Sequence, residues 1–291
     1  MTDQEISKII EDLMVARNLR NMQHAQAALT PGYYLRAARH LNLARGNIII
    51  GTGFPVADTF ETDGPVGALV LYEVLELLGN TCWLACASPL AAALADDYRI
   101  LPLAAADTSA AAIEAQNLLT ELSPEAIISI ERPGVTSDGR YYNMRGEDIS
   151  PRCGIFDTYL ELATCPTIAI GDGGNEIGMG NIAHAIQNLD INASVTTCDE
   201  LLVADVSNWA AYGLIAFLSH WHQQDLLAAR DPLAILQYLS DKGSVDGVTR
   251  ANTLTEDGLP ASDGIDLINE LRSLLGFVEM ESAALIDGQQ T

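Results

Sequence analysis

Apolar residues fall at helical spacing over 3–17 and again over 31–44, the second stretch opening on Thr30-Pro31, an N-cap followed by a first-turn proline. The period then changes. Asn47-Ile-Ile-Ile-Gly51 is an unbroken apolar run, as expected of a strand buried on both faces, and Thr62-Asp63-Gly64-Pro65 caps a helix predicted over 65–78. The same alternation predicts strands at 81–87, 126–130 and 166–170, a helix over 108–122 started by Asp107 or Thr108, and another near 181–188. Further strands are expected within 194–206, then an aromatic helix from a Ser207 cap to about His222, and helices at 231–242 and 263–275.

Strands alternating with helices predict an α/β fold, a mainly parallel sheet with helices on both faces. With no long linker and no internal repeat, 1–291 reads as a single elaborated domain whose residues 1–45 form an N-terminal helical extension. Open parallel sheets bind ligands beyond the C-terminal ends of their strands. That rule gathers the polar residues: Asp58 and Asp63 follow one predicted strand, Glu131 and Arg132 a second, and Asp172, Asn175 and Glu176 a third.

Composition narrows the partners. Thirty-nine acidic residues against fifteen basic ones give a net charge of -24, which opposes binding to nucleic acid or to an anionic membrane, and Lys8 and Lys242 are the only lysines. The N-terminus lacks a basic start and an apolar stretch, and no run approaches about 18 apolar residues, so a cytoplasmic location is expected. Cys82, Cys86, Cys153, Cys165 and Cys198 are an odd set read as free thiols, the first two as core. His220 and His222, at i and i+2 on a helix, face different ways and do not suggest a shared metal.

Chemistry concentrates in residues 168–180, Ile-Ala-Ile-Gly-Asp-Gly-Gly-Asn-Glu-Ile-Gly-Met-Gly. The five glycines permit positive φ or close approach, yet the loop lacks the Gly-Lys-Ser/Thr of a P-loop and the spacing of GxGxxG. Asp172 and Glu176 would also repel a phosphate. Hard oxygen atoms on a turn after a strand suggest a divalent cation instead, with Mg²⁺, Mn²⁺ or Ca²⁺ chosen by geometry and supply. Asp63 and Glu131, at neighbouring strand ends, are candidate ligands beside Asp172 and Glu176. Arg140, Arg145, Tyr141 and Tyr142 sit in a predicted loop, where an arginine can fork onto a substrate carboxylate. GxSxG and HExxH are absent, so nucleophilic hydrolysis has little support.

These segments resemble the C-terminal domain of the D-glutamate cyclase family. The likeness is carried by Gly51-Thr-Gly-Phe-Pro55, Glu61-Thr-Asp-Gly-Pro65, Ile130-Glu-Arg-Pro-Gly134, Ser137-Asp-Gly-Arg-Tyr-Tyr-Asn143, the loop at 170–180 and Ser207-Asn-Trp-Ala-Ala-Tyr-Gly213. A weaker part is Gly243-Ser-Val-Asp-Gly-Val-Thr249 with Asp257-Gly-Leu-Pro260. The resemblance implies conversion of D-glutamate to 5-oxo-D-proline and water, with a manganese- or magnesium-type site. On that reading Asp63, Glu131, Asp172 and Glu176 hold the cation, and Glu131, Asp172 and Glu176 serve the chemistry. Arg132 or Arg145, with Asn143, Asn175, Gly173 and Gly174, would hold the small acidic substrate. The alternatives are a metal-dependent hydrolase of a small anionic metabolite, such as a phosphatase, and a non-catalytic metabolite-binding module; a homo-oligomer is compatible with either.

Overall fold

The computed structural model describes residues 1–105, 107–229 and 231–278, so residues 279–291 of the expected single domain lie outside the described residues. Helices α1 (Asp3–Met14), α2 (Met22–Ala27) and α3 (Tyr33–Leu43) precede strand β1 (Asn47–Thr52). Then come α4 (Pro65–Leu77), β2 (Thr81–Cys86), α5 (Leu90–Leu94), β3 (Ile100–Pro102), α6 (Thr108–Leu122), β4 (Ala126–Ile130) and α7 (Asp157–Glu161). The chain continues with β5 (Thr167–Gly171), α8 (Ala183–Ile186), β6 (Glu200–Val203), α9 (Ser207–His222), α10 (Pro232–Asp241) and α11 (Ala261–Leu274). The six strands form one parallel sheet in the order β3-β2-β1-β4-β5-β6, an α/β domain. Strand order reverses between β1 and β4, and the crevice such a reversal opens beyond the strand ends is where this architecture receives ligands.

Both faces are covered, and the alternation of side chains shows it. Ile48, Ile50, Ile128, Ile130, Ile168 and Ile170 enter one core with α1, α3, α4, α9, α10 and α11. Ile49, Ile127 and Ala169 enter the other with residues of α2, α6, α7 and α8. Helix α9 is buried from Ser207 to Ser219, which its continuous apolar sequence anticipates. Among the described residues no helix is long and apolar enough to cross a membrane.

Three expectations are corrected by hydrogen bonds that sequence spacing does not reveal. Helix α3 starts at Tyr33 from a Gly32 cap at φ 90° rather than from Thr30, because the Gly32 amide donates to Glu11 Oε1 at 2.8 Å. Ser207 is the first residue of α9 and not its cap, which is Val206. Of 194–206 only β6 is a strand. The segment before it is occupied in holding the glycine loop: Ser194 N donates to Gly174 O at 3.1 Å, and Gly178 N and Gly180 N both donate to Thr196 O at 3.0 Å. Asp107 rather than Thr108 caps α6, accepting from Ala110 N at 2.9 Å.

The residues expected as an extension belong to the α-layer. Ile6, Ile10 and Tyr34 share the core of α9, and buried Glu11 links α1 to α3 by accepting from Ser7 Oγ at 2.7 Å as well as from Gly32 N. Burial holds the Glu11 carboxyl above its ordinary 4.5, against the opposing pull of those two hydrogen bonds. Because the folded protein binds this proton more tightly than the unfolded chain, its stability contribution is complete below pH 4.5 and is lost as pH rises through the raised value. Glu11→Gln keeps an acceptor without the charge. Urea titrations across pH 4–7 should show a smaller fall in unfolding free energy for the variant; identical slopes would contradict the assignment.

Candidate active site

Three strand ends deliver one carboxylate each. Asp63 follows β1 through the small hairpin Pro55–Val56/Thr59–Phe60, Glu131 follows β4 directly and Asp172 follows β5 directly. All three are buried, and each offers an oxygen within 4.8 Å of the others. Gly64 makes the convergence sterically possible: it sits at φ +87°, and a Cβ there would lie 2.6 Å from Glu131 Cβ. Helix α9 closes the arrangement from the β6 side. Its first amide, Ser207 N, donates to Asp63 Oδ2 at 3.0 Å and Asp172 Oδ2 at 3.2 Å, while Asn208 N donates to Asp63 Oδ1 at 2.8 Å. Ser207 Oγ donates to Glu131 Oε2. The positive end of a long buried helix thus faces the carboxylates, which is why Ser207 is not spent on capping.

The electrostatics are those of acids crowded out of water. Burial, followed by the Asp257 charge, pushes Asp63 up to about 6, opposed by a proton shared with Asp172 and by the hydrogen bonds that the α9 amides donate. Burial likewise holds Glu131 well above its ordinary value, reinforced by Glu176 and Asp63; it does the same to Asp172, where the Arg20 guanidinium pulls the other way. Oxygen donors on rigid strand ends, buried and short of positive charge, are the donor set that hard divalent cations take. Asp63, Glu131 and Asp172 can hold such an ion.

A cavity of about 320 Å³ opens from Glu131 and Asp172 toward the surface. Asn143, Arg145 and Asn175 line it. Asn175 Nδ2 donates to Tyr142 O at 2.8 Å, which leaves its buried Oδ1 without a partner among the described residues. Asn143 uses its side chain to hold its own loop, accepting from the Arg145 and Glu147 amides at 2.9 and 3.0 Å. Arg145, at the exposed rim, donates to Val248 O at 2.8 Å. Arg132 lies elsewhere. It is buried on the side of a neighbouring cavity, and its Nη1 and Nη2 are taken up by the carbonyls of Thr52, Gly53 and Gly154, while its buried Nε has no partner among the described residues.

Glu176 is buried but stands outside the group of three. Its oxygens accept from Gly173 N at 2.9 Å and Gly174 N at 2.7 Å, so it braces the glycine loop from within. Gly173 and Gly174 contribute those amides and do not line the cavity. Gly174, at φ +117°, supplies the turn that points Asp172 and Asn175 the same way. Asp58 sits exposed in the two-residue turn of the 55–60 hairpin, away from the cluster.

Among the cavity residues that sequence reading did not assign to the site, Arg20, Glu61 and Asp257 stand beside the buried acids. Arg20 Nη2 lies 2.8 Å from Asp172 Oδ2 and also pairs with Asp257, while its Nε donates to Asp172 O at 2.9 Å. Glu61 is buried with its carboxylate against Gly247 and no hydrogen-bond partner among the described residues. Glu61 and Asp257 stood only within segments of the family likeness, and Asp257-Gly258 is a dipeptide that also reads as a hairpin turn and forms one here. Arg20, Glu131 and Asp257 all adopt left-handed backbone, at φ 50°, 47° and 52°. Non-glycine residues in that region carry roughly 1–3 kcal/mol of strain each, and such strain gathers at functional sites.

If Glu176 is the brace of the loop, Glu176→Ala should lower stability by about 1–3 kcal/mol, because two buried amides lose their acceptor. Chemical denaturation measures this, and a loss below about 0.5 kcal/mol would remove Glu176 from that role.

The family model described as D-glutamate cyclase-like, C-terminal, matches residues 10–272. Human mitochondrial D-glutamate cyclase is 30% identical over 211 residues, covering 63% of this chain. The chain spans 34% of that relative's length. A solved exopolyphosphatase-related protein from Bacteroides fragilis aligns with 87% of this chain and 62% of its own at a TM-score of 0.37 and 9% identity, too slight a likeness to bear on fold or reaction. The matched region holds β1 to β6, α9 and every carboxylate of the cluster, and the chain belongs to the D-glutamate cyclase-like C-terminal family.

Proposed function

We propose that this chain is a lyase that closes D-glutamate into 5-oxo-D-proline with release of water, assisted by a divalent cation at Asp63, Glu131 and Asp172. The observation that carries the reading is the meeting of three buried carboxylates within 4.8 Å, two of which, Glu131 and Asp172, line a cavity of about 320 Å³ with arginines at its rim. The human relative's name supplies the reaction. A cation such as Mn²⁺ or Mg²⁺, when bound, supplies Lewis acidity that polarises the γ-carboxyl group.

The protein's own groups supply the rest. Ring closure forms a bond from the α-nitrogen to the γ-carbon and breaks a C–O bond at that carbon. The nitrogen must therefore shed protons and the departing oxygen must gain them. Glu61 lines the cavity with an unpartnered carboxylate, so it is placed to take a proton from the amine and pass it to the leaving oxygen. Asn175 Oδ1, fixed by the bond from Nδ2 to Tyr142 O, is an acceptor for a substrate N–H and would aim the nitrogen lone pair. Phe54, Val56 and Met144 give the cavity an apolar wall that limits water and favours the folded, ring-closing conformer. Glu176 acts through the loop it braces rather than on substrate.

Purified protein incubated with D-glutamate should form 5-oxoproline, detected by chiral chromatography, in a reaction abolished by chelation and restored by Mn²⁺ or Mg²⁺. Turnover that survives exhaustive chelation would remove the cation from the mechanism. Glu61→Gln should lower kcat by roughly 10²- to 10⁴-fold while leaving the melting temperature near that of the parent; a kcat within about threefold would assign the proton transfer to another group.

A further inference from the structure

We propose that Arg20 is the anchor for a substrate carboxylate, and that the loop carrying it from the N-terminal helices is part of the binding machinery. This deepens the cyclase reading and rests on it for the identity of the substrate. The other arginines are placed differently: Arg152 lines the cavity without a side-chain partner among the described residues, but it is exposed and pairs with none of the acids. Arg132 is sealed on the side of another cavity with Nη1 and Nη2 on three backbone carbonyls, while Arg145 and Arg250 stand at the exposed rim, tied to Val248 O and Glu147. Arg20 reaches the acid end of the cavity. Its Nε and Nη2 are committed to Asp172, Asp257 and the Asp205 carbonyl. Its Nη1 makes no hydrogen bond among the described residues, is not among the sealed unpartnered atoms, and belongs to a side chain that lines the cavity and remains 22% exposed. An arginine held by two of its three nitrogens and open at the third is a preorganised donor for an incoming carboxylate.

The loop explains how Arg20 gets there. Asn18, Arg20 and Asn21 have φ of 53°, 50° and 63°, three non-glycine residues in the left-handed region within four positions. Asp205, just past β6, keeps the loop in this form by accepting from Arg17 N at 2.8 Å and Leu19 N at 2.7 Å. A strained loop pinned by a buried acid and ending on a cation beside Asp172 has the form of a built contact. A dicarboxylic amino acid needs one. The proposed cation would meet one of its carboxylates; without Arg20 the other would meet Glu61 and Asp257 as like charges.

The test separates this inference from the reaction. With Mn²⁺ present, calorimetric Kd values for glutarate, a dicarboxylate that cannot cyclise, are measured for the parent, Arg20→Gln and Arg20→Lys, with neutral glutaramide as control and Mn²⁺ affinity measured separately. Arg20→Gln should weaken glutarate by about 10- to 100-fold with Mn²⁺ binding kept or tightened, and Arg20→Lys should fall between. A glutarate Kd within about twofold of the parent in Arg20→Gln, or a parent that prefers glutarate no more than glutaramide, overturns the inference. Should Arg20→Gln fail to fold, Arg20→Lys decides: a shift of about threefold or more with Mn²⁺ binding intact supports the anchor, and no shift overturns it. Absence of D-glutamate turnover alongside Arg20-dependent glutarate binding would sink the cyclase reading and leave the anchor standing.

Discussion

Carboxylates removed from water raise one another's free energy unless protons, hydrogen-bond donors or cations intervene, and this protein gathers Glu61, Asp63, Glu131, Asp172, Glu176 and Asp257 within one buried region. Much of the architecture is a response to that crowding. The reversal of strand order between β1 and β4 creates the space, and the start of α9 turns two amides and a hydroxyl toward three of the acids. Glycine-loop amides absorb Glu176, and Arg20 meets Asp172 and Asp257. What remains uncompensated is the set of oxygens at the cavity floor. Their surplus negative charge is what would make a bound cation favourable.

The N-terminal helices are therefore part of the site and not an accessory to it. α1 and α3 pack on α9, the helix whose first turn faces the carboxylates, and the loop between α1 and α2 supplies the arginine. Asp205 is the joint between these parts. Burial raises its carboxyl, yet the amides of Arg17 and Leu19 give its charge a use, so one side chain ties the β6 end of the sheet to the segment that enters the cavity.

The fold was legible because each strand is short, apolar and closed by a turn, and because helices and strands alternate with different periods. Glu131 and Asp172 were legible for the same reason, a carboxylate at the mouth of a buried strand being conspicuous beside its apolar neighbours, while Asp63 stood out at the start of the helix that follows β1. Arg20 was not. It lies in a polar stretch between helices, where nothing local distinguishes a buried arginine from a solvated one, and its partners are 152 and 237 residues away. Asp257 was hidden by the turn chemistry it also performs. Ser207 and Thr30 looked like helix caps because capping is a local rule, while the amides concerned found acceptors on distant elements, Asp63 for α9 and Glu11 for α3. Arg132 looked like a ligand fork because the carbonyls that occupy it come from two other segments of the chain.

The pairing of Arg20 with Asp257 also orders events in time. The arginine leaves the ribosome 237 positions before its partner. Asp63, Glu131 and Asp172 appear in between, after strands that can pair before Asp257 exists. Contacts of such long range close late, after local helices and neighbouring strands have formed. A nascent chain can thus assemble its hydrophobic layers while the acids are still hydrated, and the repulsion among them is confronted only when the last hairpin docks beside the waiting arginine.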